Sequence, residues 1–198
     1  GVGAIAAKYT MTQDADGYTV LMGAENPMLY KVMDLGDFDY HSDFEPVALL
    51  ARGVPVLVAR PDAPYNSFKE LVEYMAAHPE EVKFGSTGPG GLPSVVTAML
   101  DTEVDLPATF VPYDGDGPAL TALQGGAIDV MPAVLGAALE GIKAGRMKVI
   151  ALVDETENAV LPGVAPITVA YPAYDKYLPW GPFFGVFVKK GTPEDVVA

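Results

Sequence analysis

The chain has 198 residues, enough for one large domain or for two lobes of about 100 residues each. It carries 12 Lys and Arg against 26 Asp and Glu, and this net charge of −14 disfavours nucleic acid and anionic lipid as partners. Cysteine is absent, which excludes disulfides, thiolate metal sites and thiol catalysis. The two histidines, His41 and His78, lie far apart in the sequence. We therefore expect no catalytic residues, no metal and no cofactor.

Short apolar runs alternate with helical segments along the chain. The β-prone runs predict strands at residues 18–22, 47–50, 54–59, 82–86, 108–111, 127–131, 147–153 and 185–188. Helices are predicted after Ser67, which forms a capping box with Glu70, and at residues 93–100, 118–123 and 135–143. Strands separated by helices indicate βαβ units and parallel pairing, in one large sheet or two small ones.

The two ends of the chain and its apolar runs indicate whether it is part of a longer protein and whether it enters a membrane. Residues 1–7 and 192–198 both resemble helices that are cut short, which predicts an internal portion of a longer protein. No apolar run reaches the roughly 18 residues that a membrane span needs, so we expect no direct membrane insertion.

Residues 84–94 read Phe-Gly-Ser-Thr-Gly-Pro-Gly-Gly-Leu-Pro-Ser, between a predicted strand and a predicted helix. Glycines let the backbone approach a ligand, and the amides at a helix start favour a carboxylate or a phosphate. The spacing matches neither a P-loop nor a dinucleotide-binding motif. An anion-binding turn and an ordinary strand-to-helix turn both fit this segment.

A second turn, Val-Pro-Tyr-Asp-Gly-Asp-Gly-Pro at residues 111–118, also joins a strand to a helix. Asp114 and Asp116 lack the rest of a calcium-binding loop, which favours a solvated turn with Asp116 near the helix start. Tyr113 either packs in the core or lines a cleft. The aromatic group at residues 180–184 has the same two interpretations.

Eight short segments carry a family resemblance. They are Asp-Gly-Tyr-Thr-Val-Leu at 16–21, Asp-Phe-Glu-Pro-Val-Ala at 43–48, Ser-Phe-Lys-Glu-Leu at 67–71, Val-Pro-Tyr at 111–113, Leu-Gln-Gly-Gly-Ala-Ile-Asp at 123–129, Ile-Lys-Ala-Gly-Arg-Met at 142–147, Leu-Pro-Gly-Val at 161–164 and Gly-Thr-Pro at 191–193. In this order they resemble the substrate-binding receptors of tripartite tricarboxylate transporters, which are Bug-type periplasmic receptors.

The resemblance implies a two-lobed α/β fold like that of the periplasmic binding proteins, with a ligand cleft between the lobes and truncation at both ends. Residues 1–60 and 183–198 would form one lobe and residues 61–182 the other. The implied function is that of a periplasmic receptor, a monomer, that binds a small organic acid and delivers it to the permease subunits of the transporter. An enzyme such as a lyase or transferase, or a ligand-sensing module, on a related two-lobed scaffold is the alternative.

The resemblance also implies a binding site. The family clasps a ligand carboxylate with two opposed loops, through backbone amides, hydroxyls and ordered water, and one of these loops matches residues 86–94. The expected ligand-binding residues are Ser86, Thr87, Gly88, Gly90, Gly91, Ser94, Tyr113, Asp114 and Glu25.

Three of these residues set the ligand charge that we expect. Ser94 replaces a histidine that is usual in the family, Asp114 replaces a common lysine, and Glu25 lies in a shortened loop. If both acids face the ligand, a monocarboxylate or an amino-bearing acid should bind better than citrate, because like charges repel. Both acids pointing to solvent is the alternative.

Overall fold

The computed structural model describes residues 3–25, 30, 31, 34 and 36–198. The chain divides into two compact units, Gly1–Arg52 with Pro182–Ala198, and Gly53–Gly181. Each unit has its own sheet and its own apolar core. Among the described residues, no helix is both long enough and apolar enough to cross a membrane.

The smaller unit is built on a three-stranded antiparallel sheet with the order β1-β8-β2. Its elements are α1 (Ala4–Thr12), β1 (Val20–Ala24), α2 (Tyr40–Asp43), β2 (Phe44–Arg52), β8 (Phe183–Lys189) and α8 (Glu194–Val197). Buried aromatic side chains form its core, where Tyr40 stacks on Phe187 with 4.5 Å between the ring centroids.

The larger unit is built on a five-stranded sheet with the order β5-β4-β6-β3-β7. Its elements are β3 (Pro55–Ala59), α3 (Phe68–Ala77), β4 (Lys83–Thr87), α4 (Leu92–Asp101), β5 (Thr109–Tyr113), α5 (Asp116–Gln124), β6 (Val130–Val134), α6 (Leu135–Lys143), β7 (Lys148–Leu152), α7 (Ile167–Ala170) and a 3-10 helix (Pro172–Tyr177). Strands β4, β5 and β6 are parallel, and β3 is antiparallel to both of its neighbours.

The larger sheet has an apolar core on each of its faces. Successive side chains of a strand point to opposite faces, and every residue of β3 is buried. Leu57 packs in the core that includes residues of α3 and α4, whereas Val56 and Val58 pack in the core that includes residues of α5 and α6. The unit therefore has three layers, with helices on both sides of the sheet.

The start of α3 confirms the predicted capping box. The side chain of Ser67 accepts a hydrogen bond from the Glu70 amide at 3.2 Å. The Glu70 carboxylate in turn accepts one from the Asn66 amide at 2.6 Å. The Glu70 amide, which the helix start leaves without a carbonyl partner, and the amide just before the N-cap are thereby both satisfied.

Two features of the larger sheet differ from the sequence prediction. Strand β6 lies at Val130–Val134, not at 127–131, because Gly126 takes a left-handed φ of 76° and the Ala127 amide bonds back to the Ala122 carbonyl. The sheet is also mixed and not wholly parallel, because β3 enters it in the opposite direction.

The division between the units falls earlier than the predicted boundary near residue 60. By contacts it lies after Arg52 and again after Gly181. The reason is β3, which pairs with both β6 and β7 and so belongs to the larger unit.

Candidate carboxylate-binding turn

The glycine-rich segment joins the end of β4 to the start of α4 in a tight turn. Gly90 has a left-handed φ of 81°, a conformation that favours glycine. A Cβ on Gly91 would lie 2.2 Å from Oγ1 of Thr87, so a side chain there would force the turn apart. Around Gly88 the space is open, since no described atom lies within 4 Å of a Cβ placed there. The turn is thus closed at Gly91 and open at Gly88.

The hydroxyls of Ser86 and Ser94 are engaged by the turn itself. Ser94 donates to the Gly91 carbonyl at 2.9 Å, and the Gly88 carbonyl lies 3.2 Å from the same oxygen. Ser86 donates to the Thr87 carbonyl at 3.4 Å. Each hydroxyl has a single hydrogen, so in this arrangement neither serine offers a hydrogen to an anion. Backbone amides are the donors that remain.

The start of α4 presents such amides. The first N–H groups of a helix have no carbonyl partner within the helix. Gly91 occupies the N-cap position and supplies no side-chain cap, and Pro93 has no N–H. The buried Oγ1 of Thr87 also lacks a hydrogen-bond partner among the residues that the structure describes. Together with the helix dipole, these groups favour a bound anion.

The turn that follows β5 lies next to this one. Tyr113, the last residue of β5, pairs with Thr87, the last residue of β4, so the two strands end at the same level. Tyr113 is half-buried and packs against the core that includes α5, whereas Asp114 is exposed. Asp116, the first residue of α5, is half-buried, and this burial raises the pKa of its carboxyl. Asp116 thus stands at the helix start as predicted, but it is half-buried and not fully solvated.

Glu25 lies in the smaller unit, directly after β1. It is only 9% exposed, so the alternative that this side chain points to solvent is wrong. Burial raises the pKa of the Tyr40 phenol to about 12, and the nearby charge of Glu25 contributes to this rise. Glu25 therefore lies close to the buried Tyr40.

The strand order of the larger sheet provides a further reason to place a ligand at the carboxyl ends of β4 and β6. β4 and β6 are neighbours, but the chain leaves β4 towards β5 on one side and leaves β6 towards β7 on the other. In α/β sheets, ligands bind outside the carboxyl ends of strands at such a switch point. Helices α4 and α6 begin at these two strand ends.

The start of α6 lies at residue 135, as predicted, but the sequence did not identify it as part of a candidate site. Val134 ends β6 and is also the N-cap of α6, and the next amide, that of Leu135, donates to the Val54 carbonyl at 2.9 Å. Gly136, in the first turn of α6, has open space around its Cβ position among the described atoms. The only sign of this strand-to-helix junction in the sequence is an apolar strand that is followed by a helix with no loop residues between them.

The described ranges contain no side-chain cluster suited to metal binding, and the two histidines lie in different units. No group of three or more His, Asp or Glu side chains there is arranged to hold a metal ion. His41 belongs to α2 in the smaller unit, and His78 stacks on Tyr74 at the carboxyl end of α3.

Comparisons with known proteins give the family. The sequence profile of the "Tripartite tricarboxylate transporter family receptor" matches residues 1–198. The BugT protein of Bordetella pertussis is 28% identical over 202 residues, a match that covers 98% of this chain and 60% of BugT. The chain thus spans about 60% of the length of BugT, and the same share of a second relative from B. pertussis.

Solved structures agree with this result. MatC from Rhodopseudomonas palustris, with bound malate, has a TM-score of 0.86 and 27% identity, and the match covers 100% of this chain and 67% of MatC. Rpa4515 from R. palustris, with adipate, has a TM-score of 0.82 and 27% identity, over 98% of this chain and 64% of that chain. The predicted fold class, the α/β fold of the periplasmic binding proteins, and the predicted Bug-type resemblance are both confirmed. The chain belongs to the receptor family of the tripartite tricarboxylate transporters.

Proposed function

We propose that this chain is part of a periplasmic solute receptor that binds a small organic carboxylate and delivers it to the permease of a tripartite tricarboxylate-type transporter. The family supports the receptor role. Two structural relatives that carry malate and adipate support a carboxylate as the ligand. The receptor would act as a monomer in the periplasm.

The observation that carries this proposal is the turn between β4 and α4. It combines a left-handed glycine, an uncapped helix start and a buried hydroxyl with no partner in the described part of the chain. The Gly91 amide donates to the Gly88 carbonyl at 3.1 Å, so the amides left for a carboxylate are those at the start of α4 that have no carbonyl partner. The helix dipole adds to the attraction. In this proposal the carboxylate binds to the backbone of residues 87–92, and Ser86 and Ser94 shape the turn.

We propose binding without catalysis. General acid–base chemistry needs a titratable group, most often a histidine, within hydrogen-bond reach of the proton that it transfers. At the carboxyl ends of β4, β5 and β6 the described residues supply amides, hydroxyls, the exposed Asp114 and the half-buried Asp116, but no histidine, lysine or arginine. A ligand recovered chemically unchanged after long incubation with the protein is therefore expected by NMR, and conversion to a product would contradict the proposal.

The proposed site is tested with a side chain at Gly88. Because the space at Gly88 is open, Gly88→Met should fold normally and should place its side chain over the turn. Calorimetry on the full-length protein, stripped of co-purified ligand, would titrate malate, succinate, adipate and citrate. We expect at least one of these acids to bind, and the variant to lose about tenfold or more in affinity.

The matched control is Gly125→Met, which places the same side chain at the far end of α5. A Cβ at Gly125 meets its nearest described atom, the Thr121 carbonyl oxygen, at 3.4 Å, and its φ is −85°. This variant should bind as the unchanged protein does. Equal affinities for Gly88→Met and Gly125→Met would exclude the turn as the binding site.

A further inference from the structure

One carboxylate at the proposed site lacks a donor. No hydrogen bond or ion pair joins the side chain of Asp116 to any residue in the described part of the chain, and the residue is half-buried. Other half-buried acids of the larger unit are satisfied. Asp129 accepts from the Lys83 amide at 2.7 Å and pairs with Arg60 at 3.0 Å, and Glu103 pairs with Lys176 at 2.6 Å. Asp116 therefore stands apart from these acids.

The environment of Asp116 makes this lack of a donor significant. Partial burial of a carboxylate costs free energy, because it removes part of the hydration of the group and no hydrogen bond from the described residues replaces that part. Its position in the first turn of α5 favours an anion, yet the overall effect of burial is to raise the pKa of this carboxyl. In the folded protein, the ionised carboxylate of Asp116 is therefore less stable than it would be in water.

The position of Asp116 points to the source of the missing donor. Asp116 follows β5, whose last residue pairs with Thr87 at the beginning of the glycine-rich turn. Neighbouring strands lie about 5 Å apart, so the two turns are within reach of a single small ligand. A substituent next to a carboxylate held by the amides of α4 can extend towards the neighbouring turn.

We propose that the ligand carries a hydroxyl or ammonium donor beside its carboxylate and that Asp116 accepts its hydrogen bond, which selects hydroxy- and amino-carboxylates over unsubstituted acids. This inference rests on the proposed function, because it assumes that a carboxylate binds at the start of α4. An ionised acceptor makes a stronger hydrogen bond than a neutral one. An unsubstituted acid would leave Asp116 without a donor.

The test compares succinate, malate and aspartate, which share a four-carbon dicarboxylate and differ in carrying no donor, a hydroxyl or an ammonium group. Calorimetry on the full-length protein should show malate or aspartate binding at least about tenfold more tightly than succinate. In Asp116→Asn this preference should fall to about twofold, while succinate binds at least as well as before. Whichever of malate and aspartate binds more tightly identifies the donor.

The matched control is Asp105→Asn, which removes one exposed charge from the loop before β5 and should keep the preference of the unchanged protein. Succinate binding as tightly as malate and aspartate, or a preference that survives in Asp116→Asn, would overturn the role of Asp116 while leaving carboxylate binding intact. If none of the three acids, nor adipate or citrate, binds to the full-length protein, the proposed function itself fails, and this inference fails with it.

Discussion

At the scale of single residues, the hydroxyls of the glycine-rich turn hold its shape, and the proposed anion contacts come from its backbone. Ser94 could be read from the sequence as a ligand contact, but its hydroxyl donates to the Gly91 carbonyl. The Thr87 side chain leaves no room for a side chain at Gly91, and the left-handed φ of Gly90 disfavours one there. The residue types thus fix the shape of the turn, and the amides supply the chemistry.

Asp116 gives a stability prediction that does not depend on any ligand. Its pKa is raised in the folded state, so the ionised carboxylate destabilises the fold at pH 7. As the pH falls through this raised pKa, the folded protein takes up the proton first and the cost disappears. Asp116→Asn should therefore have the higher melting temperature at pH 7, and the difference should shrink towards pH 4. Equal melting temperatures at pH 7 would contradict the stated burial effect.

Asp114 bears on the charge of the ligand. It is exposed, so its repulsion of a further ligand carboxylate is screened and amounts to about 1 kcal/mol at 4 Å. Asp114→Asn should raise the affinity for citrate about fivefold and change that for a monocarboxylate much less. A thermal-shift panel at fixed ionic strength measures both. The strongest stabilisation by citrate in the unchanged protein would contradict the expected preference for acids with fewer carboxylates.

At the scale of elements, helix α4 is held at the end opposite to the turn. The Tyr174 hydroxyl donates to the Leu100 carbonyl at 2.6 Å, and Tyr174 is fully buried. Glu103, just beyond the helix, pairs with Lys176 at 2.6 Å and accepts from the Tyr177 hydroxyl at 3.0 Å. These contacts tie the carboxyl end of α4 to the 3-10 helix and so fix the direction in which its first turn points.

Removal of the Tyr174 hydroxyl tests this anchor. Tyr174→Phe removes the hydroxyl donor from the Leu100 carbonyl, which keeps the Glu103 and Val104 amides at 3.2 Å and 3.3 Å. The loss of this one buried hydrogen bond should cost about 1 kcal/mol in the free energy of unfolding. The melting temperature should fall by about 2–4 °C. Tyr9→Phe, at a tyrosine that is 61% exposed, is the control and should change nothing. An unchanged melting temperature in Tyr174→Phe would show that the anchor contributes no stability.

Sequence patterns predict individual elements of this protein better than they predict its sheet. The capping box at Ser67 and the helix at 135–143 depend on neighbouring residues, and both match the structure. The direction of β3 cannot be predicted from neighbouring residues, because a buried apolar run looks the same in a parallel and an antiparallel pairing. The position of the start of α6 next to that of α4, and the burial of Asp116, escaped prediction because they follow from strand order and packing, which connect residues far apart in the chain.

At the scale of the whole molecule, the ends of the larger unit lie side by side. A Cβ on Gly181 would lie 2.6 Å from the Gly53 carbonyl oxygen, so the chain enters and leaves this unit at one place. The unit contains its complete sheet and both of its apolar cores. These features are typical of a domain that folds by itself.

Two fragments test where the boundary lies. The fragment of residues 53–181 should show cooperative urea unfolding by circular dichroism, because it keeps β3 between β6 and β7. The fragment of residues 61–182 lacks that central strand and should unfold without a cooperative transition. Cooperative unfolding of the shorter fragment would favour the boundary near residue 60.

The most direct test of carboxylate binding at the start of α4 is a crystal structure of the full-length protein grown with the tightest-binding acid from calorimetry. We predict a ligand carboxylate within hydrogen-bond distance, about 3 Å, of backbone amides in residues 87–92, with a hydroxyl or ammonium group facing Asp116. A ligand bound elsewhere, with these amides contacting only water, would contradict the proposed site.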